Sequence, residues 1–138
     1  MFYSYRPLDV QVLIALYAFL IAMIDDFNTG IPALEEFSLR LCTGRKQLHP
    51  VLDCMAMILG RMPDYYLPYA SQSIVISTIQ FINATAFDKN TEGMPLVAGS
   101  RAFPDYKRDR SGIGEAFGFF AFDKGTFPDL SSHVQVIP

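Results

Sequence analysis

The chain has 138 residues, of which 51% are hydrophobic and 18% charged, and its formal net charge is −3. That length supports one domain, here 1–138, with one core, and the high apolar fraction argues against an intrinsically disordered chain. The negative net charge and the lack of a Lys or Arg run argue against nucleic-acid binding.

The first predicted element is a helix over 8–24 that is apolar on nearly every side, as expected inside a helical bundle. Its apolar segment, 10–24, has 15 residues, whereas a membrane span needs roughly 20. Asp25 and Asp26 follow at once, where a membrane protein more often carries Lys, Arg or Trp. We therefore predict a core helix and no membrane span. A small membrane-associated protein anchored by this segment is the alternative.

Four further helices are predicted from the positions of proline and glycine and from the spacing of apolar residues. The fourth helix of the chain is rich in β-branched residues, but its length favours a helix over a strand. The predicted fold class is therefore all-α. The four ranges are 32–43, 50–62, 69–88 and 105–122.

Cys42 and Cys54 have neither CxxC spacing nor neighbouring histidines. This arrangement predicts buried free thiols rather than a disulfide or a zinc site. Free thiols fit a reducing compartment, and we expect a cytoplasmic protein.

Two groups of charged residues have the chemistry to bind a metal-bound phosphate. Asp25 and Asp26 end an apolar helix, where the helix dipole disfavours anions, and a cation such as Mg²⁺ would offset their repulsion. Arg108 and Arg110 precede a helix break at Gly112, where guanidinium groups and free backbone N–H groups suit a phosphate. A solvated helix end and an exposed helix start are the respective alternatives. An Mg²⁺–diphosphate group needs both kinds of site.

Four segments resemble, in order and spacing, motifs of the trichodiene synthase family, and together they extend over nearly the whole chain. The family has an acidic motif after an apolar helix, a G-R-x-Q-x-H-P segment, an S-T-x-x-F helix and an aromatic-Pro-x-aromatic-x-R-x-x-x-G-x-G element. The matching segments are Phe19–Asp26 (FLIAMIDD), Gly44–Pro50 (GRKQLHP), Ser77–Phe81 (STIQF) and Phe103–Gly114 (FPDYKRDRSGIG).

The resemblance implies the central part of a class I terpenoid synthase bundle. It implies Mg²⁺ as cofactor and a linear prenyl diphosphate, above all farnesyl diphosphate, as the substrate that is ionised and cyclised to a sesquiterpene. By the same resemblance Asp25 and Asp26 bind metal, and Arg108 senses the diphosphate. Ser111 and Gly112 match the positions at the helix break.

An allylic carbocation needs a dry cavity, and aromatic ring faces attract its positive charge. The chain offers several aromatic residues for such a lining, although core packing is the alternative for each. His49 precedes a predicted helix start, and we expect it to make a structural hydrogen bond rather than to act in catalysis. The candidate lining residues are Tyr17, Phe19, Phe81, Phe117 and Phe120.

The chain departs from the family pattern in two places. Asn28 stands where the family places another acid, and no stretch matches the second metal motif, N-D-x-x-S-x-x-K-E. Family members are considerably longer, so we expect the apolar faces of the first and fourth helices to be uncovered and to favour self-association. A catalytically incomplete relic or fragment is therefore the alternative to an active enzyme.

Overall fold

The computed structural model describes residues 7–26, 30–91, 116 and 120. The predicted all-α fold class is confirmed, because the regular elements in these ranges are five α-helices. They are α1 (Leu8–Asp26), α2 (Ile31–Glu35), α3 (Phe37–Thr43), α4 (Pro50–Tyr65) and α5 (Pro68–Asn90). Most of the predicted helix 105–122 lies outside the described residues.

The predicted helix 32–43 is wrong as a single element, because it is divided at Glu36. There the backbone N–H of Glu36 is shared between the carbonyl groups of Pro32 and Leu34, which tightens the turn. The break ends α2 at Glu35 and lets α3 begin at Phe37 with its buried side turned towards the core.

The remaining helices extend beyond their predicted ranges. α1 continues through the two aspartates to Asp26, and α5 begins at Pro68, a residue suited to the first turn because its missing N–H has no helical partner there. α4 passes through Pro63 and ends at Tyr65 instead of at residue 62. The helical turn persists because the backbone N–H of Tyr66 still bonds to the carbonyl oxygen of Met62 at 2.9 Å.

The core lies between α1, α4 and α5. α1 packs against α4, and α5 contacts α2, α3 and α4. Full burial of one large apolar side chain contributes about 1.5–3 kcal/mol, so this core supplies the main stabilisation of the fold. The largest fully buried apolar and aromatic side chains are Tyr17, Ile24, Leu34, Phe37, Leu52, Met55, Met62, Tyr66, Ile74, Ile82 and Phe120.

The outer side of α1 carries a stripe of exposed apolar residues at helical spacing, namely Leu8, Val12, Leu16 and Phe19. With 19 residues, α1 is long and apolar enough to cross a membrane by length and composition. The helix is longer than the apolar segment 10–24 because it includes residues on both sides of it, and the absence of a membrane span stays a prediction. Its inner side is buried against the other helices, as in a core helix.

Both cysteines are free, as predicted, but they are exposed rather than buried. Cys54 lies outside the buried stripe of α4, which is formed by Leu52, Met55, Leu59 and Met62. Cys42 is on an outer side of α3, whose described buried residue is Phe37. We expected burial because cysteine is a residue type that is often buried. Each cysteine is exposed because it lies on a side of its helix that does not face the core.

Two glycines offer a matched test of backbone conformation. Gly44 ends α3 in the left-handed region with φ of 70°, whereas Gly60 lies inside α4, and a Cβ added at either would meet no atom within 4 Å. We expect Gly44→Ala to lower the free energy of unfolding by about 1 kcal/mol, because an L side chain strains this conformation. Gly60→Ala should instead raise it by roughly 0.5–1 kcal/mol. Urea unfolding followed by circular dichroism measures both, and equal effects would contradict this account.

Candidate active site

The two adjacent carboxylates lie at the C-terminal end of α1. Ile24 is fully buried, whereas Asp25 and Asp26 are both exposed. Burial of Ile24 anchors the last turn, and successive helical side chains diverge by about 100°, so both acids reach the surface. The last turn of α1 has no basic residue, and within residues 7–26 and 30–91 neither carboxylate forms an ion pair. The negative charge of both groups and of the helix end is therefore concentrated here.

The donor chemistry of this helix end fits Mg²⁺. The part of the chain that the structure describes contains no group of three or more His, Cys, Asp or Glu side chains able to enclose a metal. Mg²⁺ does not need such a cage, because it retains several waters and binds to one or two carboxylates together with substrate phosphates. Asp25 and Asp26 are the described residues that would hold it.

Tyr17 is fully buried on the inner side of α1, where its hydroxyl lies 2.5 Å from the Oγ1 atom of Thr78 on α5. Thr78 uses its own proton to donate to the carbonyl oxygen of Ile74 at 2.7 Å, so Tyr17 is the donor of the shorter bond. Burial raises the pKa of the Tyr17 hydroxyl well above its usual range, because the charged form would lose its hydration. Tyr17 therefore remains neutral and acts as a hydrogen-bond donor in the core.

Phe120 packs against two tyrosine rings in the core. Its ring centroid lies 4.8 Å from that of Tyr17 and 5.8 Å from that of Tyr66, with interplanar angles of 70° and 61°. Such edge-to-face pairs add to the stabilisation that burial provides. The hydroxyl of Tyr66 also donates to the backbone carbonyl oxygen of Phe120 at 3.1 Å. Two predicted lining residues, Tyr17 and Phe120, thus meet in one aromatic cluster with Tyr66.

The other predicted lining residues are not part of this cluster. Phe81 is buried on α5, with 8% of its surface exposed. Phe19 is 61% exposed on the outer side of α1, so the described helices do not enclose it as a cavity lining would require. Phe117 lies outside the described residues. The same holds for the predicted diphosphate-binding and helix-break residues Arg108, Arg110, Ser111 and Gly112.

His49 has the structural role that we predicted for it. Its Nδ1 atom accepts a hydrogen bond from the backbone N–H of Val51 at 3.1 Å, which caps the N-terminus of α4. Pro50 follows as the first helical residue, a position that requires no N–H donor. The His-Pro step of the GRKQLHP segment therefore starts a helix.

The preceding residues of the GRKQLHP segment connect α3 to α4. Gln47 is buried, and its side-chain amide donates to the carbonyl oxygen of Phe37 at 3.2 Å. Arg40 donates to Glu36 Oε2 at 2.7 Å and to the carbonyl oxygen of Lys46 at 2.8 Å. These bonds determine the path of the connection between the helices.

No pattern in the sequence singles out Tyr66, although it contacts Phe120 through both its ring and its hydroxyl. Tyr66 lies between Pro63 and Pro68, where the sequence predicts only a connection between two helices. Its partner Phe120 is 54 positions away, so the contact has no local signal in the sequence.

Residues 1–137 match the trichodiene synthase (TRI5) family. The chain belongs to the trichodiene synthase family. The predicted resemblance is thereby confirmed, and the chain is a relative of fungal terpene synthases. It is 33% identical over 139 residues to terpene synthase BipA of Cochliobolus sativus, an alignment that covers 99% of this chain and 43% of that protein.

Two further relatives extend this comparison. Monoterpene synthase 25 of Postia placenta is 32% identical over 134 residues, covering 94% of this chain and 40% of that protein. The (E)-beta farnesene synthase of Metarhizium brunneum is 29% identical over 141 residues, covering 99% of this chain and 43% of that protein. The chain thus spans about two-fifths of the length of these relatives.

Substitutions at His49 distinguish a helix cap from a catalytic group. We expect His49→Ala to lower the free energy of unfolding by about 1 kcal/mol, because the N–H of Val51 loses its acceptor. His49→Asn should retain most of the stability, since the amide oxygen of Asn caps helices well. Thermal unfolding of both variants measures this difference, and equal stability of the two would contradict a capping role.

Proposed function

We propose that this chain catalyses the Mg²⁺-dependent ionisation and cyclisation of a prenyl diphosphate, with farnesyl diphosphate as substrate and a sesquiterpene as product. The observation that carries the proposal is the match to the trichodiene synthase family over residues 1–137, in which Asp25 and Asp26 are exposed at the end of the apolar helix α1. The names of the relatives, a monoterpene synthase and a farnesene synthase among them, support the substrate class. We place this activity in the cytoplasm, as part of secondary metabolism.

The proposed chemistry assigns separate tasks to the two charged groups. Asp25 and Asp26 would hold Mg²⁺ at the exposed end of α1, and the ion would supply positive charge to the leaving diphosphate. Arg108 would bind the diphosphate oxygens through its guanidinium group. Departure of the diphosphate leaves an allylic cation, which buried aromatic side chains such as Phe81 would stabilise and shield from water.

A second candidate function is binding of prenyl diphosphate without turnover. It is favoured by one specific observation, because no stretch of the 138 residues matches the N-D-x-x-S-x-x-K-E metal motif. A diphosphate held by one acidic motif is less completely neutralised, which raises the barrier to ionisation. Under this alternative the chain is a catalytically incomplete relic or fragment that still binds its ligand.

Product analysis with matched acid substitutions tests the enzymatic proposal. Purified chain is incubated with farnesyl diphosphate and Mg²⁺, and hydrocarbon or alcohol products are identified by gas chromatography–mass spectrometry. We expect Asp25→Asn to reduce product formation at least about a hundredfold, because a neutral amide binds Mg²⁺ weakly. Arg108→Ala should have a similar effect.

The control is Asp64→Asn, which removes an exposed carboxylate from α4 and should leave the rate unchanged. Folded parent protein that binds the substrate but forms no product would favour the second candidate. Full activity of both Asp25→Asn and Arg108→Ala would refute the site assignment.

We also propose that the chain associates with a second copy of itself through the outer side of α1. Leu8 and Phe19 are 76% and 61% exposed, and Val12 and Leu16 lie between them on the same stripe. An apolar stripe of this kind is complementary to itself, and burying it against a copy removes apolar surface from water.

Sedimentation velocity tests this association. Phe19→Lys should shift the chain towards the monomer by placing a charge in the apolar contact. Leu39→Lys is the matched control, because Leu39 is 57% exposed on α3, a helix that contacts α2 and α5. A parent chain that remains monomeric at high concentration would contradict the proposal.

A further inference from the structure

The exposed residues of α1 form a seam with the spacing of a coiled coil. Along the outer side of the helix they recur alternately four and three positions apart, which gives the average of 3.5 residues that two packed helices share. Large and small side chains alternate, because Val12 and Phe19 are each followed three positions later by an alanine. The seam consists of Leu8, Val12, Ala15, Phe19, Ala22 and Asp26, and exposed Leu16 flanks it.

A groove of about 360 Å³ opens beside the N-terminal half of this seam. Its apolar wall belongs to α1, and its other wall is formed by Arg61 and Tyr65 of α4. Arg61 donates to the Tyr65 hydroxyl at 3.3 Å, and among the described residues it forms no ion pair. Because a guanidinium group has five N–H donors, Arg61 retains donors for a carboxylate. Asp9 also borders the groove, but its carboxylate accepts from the backbone N–H of Val10 at 3.0 Å.

Charge favours one relative direction for two copies that meet along the seam. In a parallel pair the four carboxylates of Asp25 and Asp26 would share one end with the negative ends of both helix dipoles. In an antiparallel pair the two acid pairs are separated by the length of α1, about 28 Å at 1.5 Å per residue. Each acid pair then lies beside the N-terminal end of the other α1, where the helix dipole stabilises anions.

The alternation of side-chain size selects the register of the antiparallel pair. When Phe19 of one copy faces Ala15 of the other, each large side chain in the middle of the seam meets an alanine, as knobs-into-holes packing requires. In the same register Asp26 faces Leu8 of the other copy, and Leu8 borders the groove that holds Arg61. Size and charge therefore favour the same arrangement.

We propose that the groove receives the C-terminal end of α1 from a second copy of the chain, with Arg61 of one copy paired to Asp26 of the other. The two-fold symmetry of the pair repeats this contact, so that each dimer contains it twice. This inference rests on the proposed self-association through α1, to which it adds a direction, a register and a charged contact.

Sedimentation velocity of two charge-reversed variants tests the contact, in buffer without divalent cations because Asp26 is also a proposed metal ligand. We expect Arg61→Glu and Asp26→Lys each to raise the dissociation constant of the dimer about tenfold, since each places like charges together at both contacts. An equimolar mixture of the two variants should associate about as tightly as the parent. The mixed dimer has a reversed pair at one contact and the parent pair at the other.

Lys46→Glu is the matched control for Arg61→Glu, because it makes the same change in net charge at an exposed residue between α3 and α4. It should leave the dissociation constant unchanged. Circular dichroism establishes that each variant is folded. If a charge reversal prevents folding, the neutral variants Arg61→Gln and Asp26→Asn replace the reversed ones, and each should raise the dissociation constant about threefold.

The outcomes separate the charged contact from the association itself. A parent chain that remains monomeric overturns the proposed self-association, and the contact with it. A parent that associates, together with charge-reversed or neutral variants of unchanged dissociation constant, overturns the contact alone. A mixture that associates no more tightly than either variant by itself overturns the antiparallel pairing.

Discussion

The hydrogen bond between Tyr17 and Thr78 determines how α1 sits on the other helices. α1 is apolar on nearly all sides, so hydrophobic burial alone would be similar for several rotations of this helix. A buried hydroxyl without a hydrogen-bond partner raises the free energy of the folded state. Rotations of α1 about its axis in which Tyr17 does not reach Thr78 are therefore disfavoured. The 2.5 Å bond thus selects one orientation, in which Leu16 and Phe19 face outward.

That orientation also defines the surroundings of the candidate metal site. Because Ile24 is buried in the selected rotation, the acids that follow it emerge at the exposed end of the helix. Their negative charge lies at the negative end of the helix dipole, and this repulsion destabilises the folded chain. A divalent cation bound there would offset the repulsion. A core hydrogen bond therefore has consequences for chemistry at the surface, because a rigid helix transmits the orientation of its buried side chains to its end.

The residues of the GRKQLHP segment show how a family motif serves folding. Gly44 provides the left-handed end of α3, Gln47 binds the carbonyl group of Phe37, and His49 caps α4. All three contacts end, connect or cap the described helices, so this part of the motif serves the fold.

Local interactions explain what could be predicted from the sequence alone. Proline and glycine positions, apolar spacing and helix length determine the all-α class, and the His-Pro step marks the start of α4, because these signals act within one or two helical turns. The acid pair could be singled out as a candidate metal site because its chemistry lies in two adjacent residues, and its role as a metal ligand stays a prediction. Family membership followed from four such local motifs in order.

Contacts between distant residues decided the rest. The break at Glu36, the passage of α4 through Pro63 and the exposure of both cysteines depend on which side of each helix meets the core. The buried hydroxyl of Tyr66 finds its acceptor in a carbonyl group 54 positions away. Sequence patterns describe single helices, whereas the orientation of one helix against another is determined by packing and buried hydrogen bonds that form only in the folded chain.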